Sequence, residues 1–283
     1  MTAVHQELHF ADAGEAADLA AFLARLIHYD RAAAVRLQAG GGVLAVFGRP
    51  PSFDVLAIRT ARLEAIVPTD AVSASATAAG GPGGPRGSRG SGGLDTTVSA
   101  GEFADALDRA RAERTAEAAG GRGLVVIVPQ AVTGPPWAGV LPPRGGWRRV
   151  DGLPGADEVR GAVTAAVAEF RARDAALPEE RRTRAERDRI GQEIWSRTLG
   201  ATGLPLRAVH AAQSLGFLRP VRATAASAAT TPAGARGGVT TAPGPTADPL
   251  VLLAAGGWLR LRTPYGSVAV RTSGFPGLSV TPA

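Results

Sequence analysis

A chain of 283 residues, 45% hydrophobic and 20% charged, can bury a core without covalent or metal staples. Its cations are 31 arginines and no lysine, set against 25 acids for a formal charge of +6, and it has neither cysteine nor asparagine. These gaps exclude a Walker-type phosphate lysine, a Schiff base, a pyridoxal attachment, a thiol nucleophile, a thiolate zinc site and an iron–sulfur cluster. No G-x-S-x-G elbow occurs, and the glycine clusters never give G-x-G-x-x-G between a strand and a helix. The joint absence of Lys and Asn, with abundant Ala, Gly, Pro and Arg, indicates a GC-rich coding sequence. Charge is therefore read from its distribution along the chain.

The chain opens with a predicted strand, Val4 to Phe10. Asp12 and Glu15 form a capping-box pattern for a helix to about His28, with Leu19, Leu23, Leu26 and Ile27 as its buried stripe. Three short strands follow at about 32–39, 43–48 and 54–63, with Gly40-Gly41-Gly42 in the first turn and Pro50-Pro51 in the second. Residues 71–93 and 222–247 lack the large apolar side chains that would offset ordering entropy, and both are predicted disordered insertions. Ser99 with Glu102 opens a second helix to about Ala118. Leu124 to Val128 reads as a buried strand, and a short strand is expected near Trp147. Three helices come next, at about 157–176, 183–199 and Pro205 to Leu215, the last stopped by Gly216.

The last part repeats a pattern from the first. Val251 to Thr272 runs strand, glycine turn, strand, proline turn, strand closing in Arg271-Thr272, as Val35 to Thr60 does before closing in Arg59-Thr60. The expected architecture is one α+β domain over 1–283. It comprises two related helix-plus-three-strand-meander units with pseudo-two-fold symmetry, packed with additional helices.

Four groups of residues could carry chemistry. His5, Glu7 and His9 share one strand face and are the ligand types of a facial metal triad, but a polar face on an edge strand explains the alternation equally well. His28 and His210 are potential bases without a locally placed relay partner. The mixed-sign stretch Glu179 to Arg189 reads as a solvated helix face. The fourth group is the basic C-terminal third, with eight arginines and one acid, Asp248, after Ile194. Trp258, Arg260 and Arg262 alternate onto one strand face that Arg271 can join, a pattern suited to phosphate or stacked bases.

The order helix, turn, helix, strand hairpin would also suit a winged helix. In that arrangement Arg207, His210 and Ser214 face a groove, with Arg260 and Arg262 at the wing.

No cofactor is implied. The expectation is a cytoplasmic, non-catalytic binding or adaptor protein meeting a protein partner or its own copy, without membrane contact. Sheet edges or exposed aromatics at Trp137, Trp147 and Trp258 would form the contact. A nucleic-acid-binding regulator using the basic third is the alternative, and a metal-dependent or acid–base enzyme a second one.

Overall fold

The computed structural model describes residues 6–68, 93–116, 124–137, 140–220 and 250–272. His5 and the expected insertions 71–93 and 222–247 lie outside the described residues, apart from Gly93. The elements of the first half are β1 (Gln6–Phe10), α1 (Ala13–Tyr29), β2 (Ala34–Gly40), β3 (Val43–Gly48), β4 (Leu56–Pro68), β5 (Leu94–Ser99), α2 (Ala100–Ala116) and β6 (Leu124–Ile127). The second half supplies β7 (Arg148–Val150), α3 (Ala156–Ala175), α4 (Arg184–Ser196), α5 (Leu206–Ser214), β8 (Val251–Ala255), β9 (Trp258–Thr263) and β10 (Gly266–Arg271). The class is mixed α+β around one large antiparallel sheet, as expected from the sequence.

The strand order is β5-β2-β3-β4-β10-β9-β8-β7, with β1 beside β4 and β6 beside β1. Both predicted meanders form, and they join edge to edge where Leu56 pairs with Ala269 and Ile58 with Ser267. Each meander carries one further strand on its far side, β5 on β2 and β7 on β8. The first hairpin of each closes over two glycines at positive φ, Gly41 and Gly42 at 59° and 77°, Gly256 and Gly257 at 50° and 77°. Two-residue hairpins that match the strand twist need positive φ at both positions, so glycine is the residue that fits.

Strand alternation divides the sheet into two faces. The inner face, with Leu37, Val46, Ala57, Leu261 and Val268, is covered by helices in one continuous hydrophobic core. Helices α1 and α5 supply Leu19, Leu23, Ala208, Val209 and Ala212 to it. The outer face has a smaller core of its own. Phe47, Leu56, Ile58, Trp258 and Ala269 pack there under Trp137, with Leu141 and Trp147 from the connection between β6 and β7. That connection ties the two meanders together on the side opposite the helices.

Several expectations change. β1 is not an edge strand, because β4 and β6 flank it on both sides. β6 is not buried on both faces, since Val125 and Ile127 are exposed while Leu124 and Val126 are buried. Asp12 caps α1 through Gly14 N at 2.7 Å, but Glu15 binds Arg62 of β4 instead of closing the capping box. A charged partner across the layer holds that carboxylate more strongly than a neutral backbone N–H. Pro205 stands at the N-cap of α5, one position before the N1 site expected. β5 had no sequence signal, and its pairing with β2 makes the polar run Asp95-Thr96-Thr97 a strand.

Candidate functional site

The outer face is open where the tryptophan-bearing connection stops. A groove of about 340 Å³ lies there between β4, β9 and β10, at the junction of the two meanders. Its lining includes Arg62 and Thr60 from β4, Arg260 and Arg262 from β9, Ser267 from β10 and Glu15 from α1. Register explains the convergence: Arg262 pairs with Ser267 and Ser267 with Ile58, so Arg262, Ser267 and the even-numbered residues of β4 point the same way.

Four of the cations on this face, Arg36, Arg62, Arg260 and Arg262, are held differently. Arg36 reaches Asp95 on the neighbouring strand at 2.8 Å, and Arg62 Nε reaches Glu15 at 2.6 Å. Arg260 donates its Nε to Ser267 Oγ at 2.9 Å and lies within 5.9 Å of the Trp147 ring. Neither Arg260 nor Arg262 has a carboxylate within 4.0 Å among the described residues. Burial, and then the adjacent positive charge of Arg262, push Arg260 below the usual arginine range. The groove is short of negative charge.

The inner face offers a contrast one residue away. Arg59, 7% exposed, turns to the helix side and meets Asp18 of α1 at 3.0 Å. Asp18 also accepts from Arg219 at 2.6 Å, and Arg219 stacks over Tyr265 at 3.7 Å. Arg59 is lowered by burial, with the nearby Asp18 opposing that shift. One acid thereby ties both halves of the chain together.

The residues singled out from sequence divide accordingly. Trp258, Arg260, Arg262 and Arg271 do share a face, and Arg271 pairs with Trp258 and lies 4.9 Å from its ring. Trp258 is nevertheless buried, as is Trp137, and Trp147 is half-buried with its Nε1 donating to Pro143 O at 3.0 Å. The three tryptophans are therefore not exposed contact sites, because together they close the outer core.

Arg207, His210 and Ser214 lie on α5, which packs against the inner face. The sheet thus separates them from Arg260 and Arg262, and α5 is too buried to enter a groove as a recognition helix. His210 stacks on Trp195 at 4.3 Å and meets Phe53 edge-on at 5.1 Å, and burial lowers its pKa. Glu7 and His9 do face one another at 3.4 Å, but no group of three or more His, Cys, Asp or Glu able to hold a metal occurs among the described residues.

Sequence reasoning missed Thr60, Arg62 and Ser267. The available signal was the repeat itself, which aligned Arg59-Thr60 with Arg271-Thr272 without showing that β4 and β10 would lie side by side.

Two family models match the chain, each over a little less than half of it. Residues 3–139 are similar to a domain of unknown function (DUF8010) and residues 142–275 to a domain of unknown function (DUF8185). Their boundary falls within the connection that crosses the outer face, while the sheet runs unbroken beneath it. No match was found among curated proteins or among solved structures. No helix among the described residues is long and apolar enough to cross a membrane.

Proposed function

We propose that this chain is a non-catalytic binding protein, an adaptor that recruits an acidic protein partner through the groove between β4, β9 and β10. The pair Arg260 and Arg262 carries this reading, being adjacent on one strand face and without a carboxylate among the described residues. A half-buried guanidinium without a counter-charge is unfavourable in the free protein, and an anionic partner relieves that cost. We further read the two meanders as related units with pseudo-two-fold symmetry, supported by their matched glycine hairpins and mirrored strand order. The groove then sits beside the symmetry axis, at the kind of junction where binding sites concentrate.

Nucleic acid is the weaker alternative, because the burial of Trp258 removes the stacking platform that single strands need. Titration of the full chain with a glutamate-rich peptide and with an oligonucleotide of equal charge, at low and at physiological salt, tests both readings. The expected result is peptide binding that weakens with salt and is lost in the R260Q/R262Q double variant. Tighter, arginine-dependent binding of the oligonucleotide would transfer the groove to the nucleic-acid reading, and no binding of either probe would remove the groove from function.

A further inference from the structure

We infer that the charge this groove recognises is the dianion of a phosphate monoester; this rests on the anion-binding role proposed above and specifies its ligand. The first argument is charge. The charged residues lining the groove are Glu15 from α1, Arg59 and Arg62 from β4, and Arg260 and Arg262 from β9, and no histidine lines it. The guanidinium of Arg59 is engaged by Asp18 on the helix side, and Arg62 is matched by Glu15. Arg260 and Arg262 remain without a carboxylate, so a ligand with two negative charges matches the pair. A phosphate monoester supplies close to two charges on three oxygens at neutral pH, whereas a carboxylate or one internal phosphodiester supplies one.

The second argument is shape. Ser267, 2% exposed, accepts from Arg260 Nε and fixes the guanidinium plane, leaving its terminal nitrogens as a preset fork for two oxygens of one group. Thr60 adds a hydroxyl at the rim. The Trp147 ring lies 5.9 Å from the Arg260 guanidinium, and Glu15 stands as a carboxylate in the groove lining. A continuous polyanion running along the groove would bring charge against Glu15, while a single terminal phosphate needs only the Arg260 and Arg262 end. The same chemistry reaches the groove from a phosphorylated side chain or from a small phosphate ester.

The test is calorimetric titration of the full chain with a short phosphoserine peptide, its serine counterpart, inorganic phosphate and sulfate, at pH 5 and pH 7. The phosphoserine peptide is expected to bind at least tenfold more tightly than the serine peptide. Its affinity should rise several-fold from pH 5 to pH 7 as the second phosphate ionisation near 6 is completed. Sulfate, a dianion at both values, should bind with little change.

R262Q, at an exposed position, and R260Q should each weaken the phosphoserine peptide about tenfold without lowering the melting temperature. R148Q, on the outermost strand, should leave it unchanged. A peptide tighter than inorganic phosphate assigns the phosphate to a protein, and equal affinities assign it to a small ester; both support the dianion. A phosphoserine peptide no better than serine, affinity flat with pH, or sulfate following the same pH curve would overturn it.

The two levels separate cleanly. If the glutamate-rich peptide still depends on Arg260 and Arg262 while phosphorylation adds nothing, only the dianion falls. If no probe responds to either arginine, the binding surface falls with it.

Discussion

Arg59 and Arg260 sit on opposite faces of one sheet, and burial lowers the pKa of both. On the inner face Asp18 of α1 meets the charge, and the same carboxylate holds Arg219 from the second half of the chain. On the outer face Arg260 finds a hydroxyl and a neighbouring cation instead. The difference teaches how to separate a structural charge from a functional one. A partly buried cation whose acid comes from the same fold belongs to stability. One whose surroundings supply no acid points to a partner from outside.

The largest expected effect is at Asp18. Asp18→Ala leaves two arginines without their shared acid, one of them buried, and should destabilise the chain by about 3 kcal/mol in chemical denaturation, the low end for breaking a buried pair because Asp18 is a third exposed. A loss below about 1 kcal/mol would break the comparison, because Arg59 would then be no better neutralised than Arg260. Trp137→Ala should cost a similar or slightly smaller amount, about 3 kcal/mol, by opening the outer core over Phe47, Ile58 and Trp258. Denaturation of that variant also shows whether the outer core unfolds together with the inner one.

A smaller effect belongs to His210, whose ordinary pKa of 6.5 is lowered in the folded chain by burial. Above pH 6.5 both states are neutral and the packing contributes in full. As pH falls through 6.5 the unfolded chain takes up the proton first, so stability is lost until the folded pKa is reached. The slope from this one group is at most about 1.4 kcal/mol per pH unit, and comparing the stability of wild type and His210→Phe between pH 7 and 5 isolates it. Smallest of all is Arg262→Gln, which should change stability by less than about 0.5 kcal/mol. A clear loss there would mean that the outer-face arginine is structural, as Arg59 is.

Much of the backbone plan was legible in the chain. Glycine pairs at 41–42 and 256–257, bounded by alternating apolar residues, specify hairpins because few other residues adopt positive φ twice in succession. The apolar stripe of α1 specifies which side meets the sheet. These are local rules, satisfied within a few residues.

The candidate site obeys no local rule. Arg62, Arg260 and Ser267 become neighbours only because β4 pairs with β10, a contact more than 200 residues apart in sequence. The capping-box reading of Glu15 failed for the same reason, since Arg62 arrives from across the layer. Likewise, alternation placed Trp258 on the arginine face, but the connection carrying Trp137 decided that its ring would be covered. The sequence by itself determined turns, helix faces and strand alternation, which depend on backbone dihedrals and periodicity. Tertiary structure alone decided which charges would be neutralised and which left open, because a counter-charge acts through space across a few ångströms, whatever its distance along the chain.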